Sequence, residues 1–302
     1  VIFPAFLLHP GKILLHALGM EVLKVEEIQR AVREALSEDI GSGDVTTLST
    51  VPLEAVNQAS MVARASLVVA GIDFALVAFR ELDPQVRIDR LVSDGAHLSA
   101  GQTILRVHGK THALLSAERV ALNFVQRLSG VATATARYVG LVKGTKARIL
   151  DTRKTTPGWR RFEKYAVHCG GGQNHRIGLF DMVLIKDNHL AALAGEKPNA
   201  VAAAVARARN KYPGLQVEVE ADTLEQVRQA VEADVDIILL DNMTLENLRA
   251  AVQMVGGRAK TEASGGVNTI TCRSIAETGV DYISVGAITH SAAAVDVALD
   301  FE

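Results

Sequence analysis

The sequence predicts an α/β protein whose second half closes as a parallel βα barrel. From Ala147 onward, short apolar runs alternate with stretches of helical periodicity. The runs are ARIL (147–150), MVLIK (182–186), QVEVE (216–220), DIILLD (236–241), AKTEA (259–263) and DYISVG (281–286). The last four recur at roughly 21-residue intervals, the length of one βα unit, with helices expected at 224–233 and 245–255 between them. Polar or small residues stand at the ends of these runs: Asp151, Lys186, Glu220, Asp241, Ser264 and Gly286. A parallel barrel gathers the carboxyl ends of its strands at one mouth, so these positions predict a shared site.

The first half reads differently. Val25, Ile28, Val32 and Leu36 recur at three and four, predicting an amphipathic helix over 22–38 that stops at the glycines of EDIGSGD. Residues 45–47 are expected to begin a turn or strand. Strands are expected at 60–65, 67–70, 86–92 and 103–107, with a helix at 72–82. The segments 92–98 and 101–105 are similar to the β-turn-β unit of biotinyl or lipoyl carriers, but Lys110 lacks the flanks of a modified lysine. The glycines there are read as turn residues of a sandwich. The apolar segment 114–128 predicts a helix ending at Ser129-Gly130, and a second helix is expected over 133–142.

The chain has 302 residues, 48% of them hydrophobic, and a formal net charge of -2. That balance suits a folded soluble protein and argues against a nucleic-acid surface with a domain-wide positive field. Cys169 and Cys272 are the two cysteines, which excludes a disulfide framework or a thiolate zinc site. Pro10, Gly11 and Lys12 interrupt the apolar first residues, so the uninterrupted length falls far below the ~20 residues of a membrane span. A cytoplasmic protein is expected. Residues 1–19 are read as an extension to a chain whose synthesis starts at Met20, just before the first amphipathic helix.

The chain converges on residues 150–179, LDTRKTTPGWRRFEKYAVHCGGGQNHRIGL. Arg153, Lys154, Arg160, Arg161, Lys164 and Arg176 lie here with His168 and His175. Arginine forks match carboxylate and phosphate oxygens in pairs, whereas lysine is a movable point charge, so this set suits a small, multiply anionic ligand. Gly170, Gly171 and Gly172 let the backbone approach it. The pair His168-Cys169 is read as packing, because neighbouring side chains face different directions on a regular element.

Elsewhere at the mouth, Glu220 and Asp241 can receive sugar hydroxyls or hold Mg²⁺, directly or through water. The segments Ala263-Ser264-Gly265-Gly266 and Val285-Gly286-Ala287 offer backbone N–H groups, and late strand ends are the recurrent phosphate site of βα barrels. Arg153, Lys154, Arg176 and Lys186 exceed what one monophosphate needs. A second polyanion beside it is expected.

The motifs DTRKTTPG, GGGQNHRIGL, LIKDNH, VEVE, ILLDN, EASGG and ISVGAITH, with EDIGSGDVTT and ERVALNFVQRLSGVAT before them, occur in this order. Together they resemble the quinolinate phosphoribosyltransferase family from about residue 38 to the end. The resemblance implies an α/β chain: an incomplete parallel βα barrel (130–288) with an N-terminal open α/β sandwich domain (20–129), to which 289–302 return. It implies a pentosyltransferase that converts quinolinate and phosphoribosyl pyrophosphate to nicotinate mononucleotide, pyrophosphate and CO₂, with Mg²⁺ and no organic cofactor. Carried over by position, Arg153, Lys154, Thr155, His175, Arg176 and Lys186 surround quinolinate, and Glu220 and Asp241 face the ribose and Mg²⁺. Ser264, Gly265, Gly266, Val285, Gly286, Ala287 and His290 line the phosphate end. Lys154, Lys186, Glu220 and Asp241 are the expected catalytic set. Arg119 matches an arginine that a neighbouring subunit donates, which implies a homodimer with shared sites. Thr156 and Trp159 depart from the family, which more often has leucine there. The rival readings are nicotinate phosphoribosyltransferase, a pyrophosphorylase of molybdenum-transport operons, and an anion-binding or carrier module.

Overall fold

The computed structural model describes residues 23–302, which form two compact units. The expected extension 1–19 lies outside the described residues. One unit runs to Ala132 and adds Lys164–Cys169 and Ala293–Glu302; the other comprises Thr133–Glu163 and Gly170–Ala292.

The first unit opens with a helix, Val25–Ile40, that buries Ile28, Val32 and Leu36. Residues 45–47 form neither a turn nor a strand but the start of a helix, Val45–Thr50. The reason is Asp44, whose carboxylate accepts from the Thr47 backbone N–H (3.0 Å) and hydroxyl (2.6 Å). Such a cap contributes about 1 kcal/mol and outweighs the weak β preference of Val-Thr-Thr. The strands are β1 (Val56–Ala63), β2 (Leu67–Val68), β3 (Arg87–Arg90), β4 (His97–Leu98) and β5 (Thr103–Lys110). β2 and β4 form a two-stranded ribbon, while β1, β5 and β3 belong to one antiparallel sheet. The helix Ile72–Leu82 is held at its N-terminus by Asp94, which accepts from the backbone N–H groups of Gly71 and Ile72 and from the Tyr165 hydroxyl.

A single helix, Thr111–Leu141, replaces the two expected around Ser129-Gly130. Gly130 does not end it. A Cβ there would lie 2.1 Å from the Ala293 carbonyl oxygen, so the glycine serves close backbone approach rather than termination. Ser129 is fully buried, and its hydroxyl accepts from the Ala70 N–H.

The second unit contains β6 (Arg148–Leu150), β7 (Val183–Ile185), β8 (Val217–Ala221), β9 (Ile237–Asp241), β10 (Lys260–Ser264) and β11 (Tyr282–Ser284). All pairings are parallel, in the order β6-β11-β10-β9-β8-β7. β6 and β7 are the two ends of this row, which makes the barrel incomplete. The crossover helices include Leu224–Glu232 and Leu245–Val255. Thr223 and Thr244 cap them, and they bury Val227, Ala230 and Val231, and Leu248, Ala251 and Val255. The last strand, β12 (Val297–Phe301), pairs with β1 in the first unit. Among the described residues, no helix is long and apolar enough to cross a membrane.

Candidate active site

The strand carboxyl ends of the second unit bring the polar residues together. Lys186, just past β7, directs Nζ to Glu220 Oε2 on β8 at 3.1 Å. Asp241 ends β9 in register with Ser264 on β10. Asn242 links the two, donating its amide to Asp241 (2.7 Å) and its backbone N–H to the Ser264 carbonyl (2.9 Å). Gly265 follows with φ +92, and a Cβ there would stand 2.1 Å from Asn242 Oδ1. The Ser264-Gly265-Gly266 turn therefore needs glycine for its backbone and for the space beside Asn242.

Past β11, Gly286 has the Lys154 side chain on one side and the His290 ring on the other, each within 3.2 Å of where a Cβ would sit. Thr289 Oγ1 donates to the Lys154 carbonyl at 2.7 Å. Ala287 starts the short helix Ala287–His290, and Val285 is buried, its N–H bound to the Leu150 carbonyl. Lys154, Gly286 and His290 thus form one corner of the mouth.

The cationic loop after β6 is fixed by the first turn of the helix Arg160–Cys169. Arg160 donates from Nε to Thr155 Oγ1 (3.1 Å) and from Nη1 to the Ile177 carbonyl (3.0 Å), tying the two basic loops together. Glu163, fully buried, accepts from the Thr156 N–H and hydroxyl. Thr156 is therefore explained by a local bond. Trp159 packs edge-on against Phe162, with ring centroids 5.9 Å apart.

The second basic loop is anchored on Asp151, which is buried rather than presented at the mouth. Its carboxylate accepts from the Asn174 amide (2.7 Å) and the His175 N–H (2.9 Å). Arg176 donates from Nη1 to the Met182 carbonyl at 3.2 Å. Burial, and then the neighbouring Arg153 guanidinium, lower the Arg176 pKa, while Glu218 and Asp181 partly offset this. The Nε atoms of Arg153 and Arg176 are both buried without a hydrogen-bond partner. Two guanidinium groups are thus brought close with donors unused.

Beneath the mouth lie two acids that the sequence analysis did not single out. Glu218 on β8 and Glu262 on β10 are fully buried. Burial pushes the Glu218 carboxyl up to about 7, and burial with the Glu218 charge pushes Glu262 up to about 8. Their signal was available: in VEVE, Glu218 stands two residues before Glu220, hence on the same strand face, and Glu262 stands likewise before Ser264. Cys169 is no nucleophile, because burial raises its thiol far above the ordinary value. Arg119, on the part of the helix Thr111–Leu141 that belongs to the first unit, is exposed.

Residues 44–129 match the quinolinate phosphoribosyl transferase N-terminal domain, and residues 131–300 match its C-terminal domain. The chain belongs to the quinolinate phosphoribosyl transferase family. A nicotinate-nucleotide pyrophosphorylase [carboxylating] of Mycobacterium leprae is 46% identical over 275 residues, covering 89% of this chain and 95% of that protein. The chloroplastic protein of the same name from Arabidopsis thaliana is 41% identical over 292 residues, covering 91% of this chain and 83% of that protein. The solved nicotinate-nucleotide pyrophosphorylase of Francisella tularensis superimposes with a TM-score of 0.88 at 40% identity, covering 94% of this chain and 99% of that one. As a member of the quinolinate phosphoribosyl transferase family, the chain is a pentosyltransferase with an incomplete βα barrel.

Proposed function

We propose that the protein transfers the phosphoribosyl group of phosphoribosyl pyrophosphate to the ring nitrogen of quinolinate, with loss of CO₂, giving nicotinate mononucleotide and pyrophosphate for NAD biosynthesis. One observation carries the reading: Arg153 and Arg176 stand together with buried, unpartnered Nε donors, and Lys154 and Lys186 lie at the same strand ends. Like charges held this way fit a dianion, and quinolinate carries two adjacent carboxylates. Nicotinate, with one carboxylate, needs fewer cations.

In this reading Arg153, Thr155, Arg176 and Lys186 bind the quinolinate carboxylates and orient the ring nitrogen. Ser264, Gly265, Gly266, Val285, Gly286, Ala287, Lys154 and His290 line the phosphates. As pyrophosphate leaves, Glu220 and Asp241 stabilise the positive charge developing at the anomeric carbon, while Lys154 neutralises the leaving group. After the nitrogen attacks, its positive charge draws electrons from the adjacent carboxylate, which leaves as CO₂. The ring carbon then takes a proton, and Lys186 stands at the mouth to supply it.

Glu220 and Asp241 offer hard carboxylate oxygens from adjacent strands, so the donor set fits Mg²⁺ held directly or through water. When bound, Mg²⁺ neutralises phosphate charge. Arg119 completes the site of a neighbouring chain, in a homodimer. Release of CO₂ from quinolinate, measured with and without phosphoribosyl pyrophosphate, tests the whole reading. Release independent of phosphoribosyl pyrophosphate, or turnover of nicotinate in place of quinolinate, overturns it.

A further inference from the structure

His175 reads from the sequence as a donor to quinolinate, but its ring is turned inward. The side chain is 9% exposed. Nδ1 accepts from the Arg176 backbone N–H at 2.8 Å, and Nε2 lies 3.0 Å from Glu218 Oε2 and 3.6 Å from Glu262 Oε1. The first contact fixes the tautomer: a nitrogen that accepts a hydrogen bond carries no proton, so the ring proton is on Nε2 and faces the two carboxyls. The 3.0 Å contact is short in distance but off the hydrogen-bond axis, and both Glu218 oxygens, with Glu262 Oε2, have no aligned partner.

The ligand atoms of His175, Glu218 and Glu262 lie within 4.8 Å of one another, a spacing that invites a metal. The tautomer argues against one. A metal at Nε2 needs the lone pair there, which moves the ring proton to Nδ1 and against the Arg176 N–H. The group therefore has a different use. Glu218 and Glu262 come from β8 and β10, the two strands that flank β9, so they reach His175 from separated parts of the sheet. The Ser284 hydroxyl on β11 donates to Glu262 and anchors it from a third strand.

We propose that Glu218 and Glu262 are positioning residues that grip His175 Nε2–H and thereby fix the Arg176 guanidinium beside Arg153. This rests on the quinolinate reading above. The segment is held at two points, the His175 N–H by Asp151 and Nδ1 by the Arg176 N–H, and the acid pair faces Nε2–H at 3.0 and 3.6 Å. Turning the ring to give a nitrogen to substrate would take the Nε2–H donor away from the two buried acids that face it. His175 consequently acts through Arg176, and neither acid touches the substrate.

A double-mutant cycle tests it. Glu218→Ala is expected to raise KM for quinolinate at least tenfold and KM for phosphoribosyl pyrophosphate less than threefold. In an Arg176→Ala background the same change is expected to alter KM for quinolinate less than twofold. Glu218→Gln, whose amide oxygen accepts from Nε2–H and whose NH₂ donates to Glu262, is expected to recover KM to within threefold of wild type. Glu218→Asp, one methylene shorter, serves if the alanine variant does not fold, and should raise KM for quinolinate severalfold. An equal rise for both substrates, multiplicative effects with Arg176→Ala, or a glutamine variant as impaired as alanine overturns the proposal. The grip itself is read without turnover, from ¹⁵N–¹H spectra of the histidine rings. His175 should show a slowly exchanging Nε2–H that Glu218→Asp loses. If wild type fails to turn over quinolinate, the functional reading falls, and a rapidly exchanging or Nδ1-protonated His175 overturns the grip independently.

Discussion

Lys186 Nζ and Glu220 Oε2 meet at 3.1 Å across the carboxyl ends of β7 and β8, with the lysine side chain 48% exposed and the glutamate 15%. A pair this open to water contributes little to stability. Its place at the mouth fits the role proposed for Lys186, binding a substrate anion beside a carboxylate that balances its charge.

Replacing Lys186 or Arg176 with alanine should therefore damage quinolinate use far more than folding. Each loses a charge-assisted hydrogen bond worth about 1.5 to 3 kcal/mol, or roughly ten- to more than a hundredfold in kcat/KM. Steady-state kinetics with melting temperatures measured alongside check this. An unchanged kcat/KM for quinolinate in either variant removes that residue from the site.

Gly265→Ala should impair phosphoribosyl pyrophosphate binding more than quinolinate binding. The residue sits at φ +92, and an added Cβ meets Asn242 Oδ1 at 2.1 Å. Asn242 is also bonded to Asp241 and to the Ser264 carbonyl, so the displacement reaches both the turn proposed to hold the phosphate and the carboxylate proposed to face the ribose. The strained backbone costs about 1 to 3 kcal/mol. Equal KM values for phosphoribosyl pyrophosphate in variant and wild type would show that the turn does not hold the phosphate.

Glu262 gives the folded protein a pH dependence of definite sign. Its carboxyl is pushed up from 4.5 to about 8, so between those values the folded state keeps a proton that the unfolded chain has released. Stability falls wherever the folded state binds more protons as pH rises, so this contribution declines from pH 4.5 upward and levels off above about 8. Melting curves should show a smaller loss between pH 5 and pH 8 for Glu262→Gln than for wild type. Equal losses would mean that Glu262 is ionised in the folded protein throughout.

The strands of the barrel were legible because each is a short apolar run between glycines or charges. The helix 245–255 was legible to the residue, since Thr244 caps it and Gly256 ends it. Local sequence misled where a distant partner decides. Gly130 reads as a helix stop until the Ala293 carbonyl is placed against it. Val45-Thr46-Thr47 reads as a turn or strand although the residue that caps the helix, Asp44, is its own neighbour. The strand-end residues of the site, Lys186, Glu220, Asp241 and Ser264, stand out as polar residues after apolar strands. The layer below them is partly legible: Glu218 and Glu262 stand two residues before Glu220 and Ser264 and share their strand face, but that β8 and β10 bring the two acids together on either side of β9 follows only from the strand order.

Arg119 provides the decisive test of assembly, since it is exposed on the helix Thr111–Leu141 and the family resemblance gives it to a neighbouring chain's site. If two chains exchange this contact across a twofold axis, each site takes Arg119 from one chain and Lys186 from the other. Arg119→Ala and Lys186→Ala homodimers should each be nearly inactive. After refolding an equal mixture, about half the dimers are mixed, and each mixed dimer carries one site with both defects and one with neither. Activity should rise to roughly one quarter of wild type by that arithmetic. Native mass spectrometry reports whether the chains have exchanged. Exchange without recovered activity would place Arg119 outside a shared site, acting within its own chain or not at all.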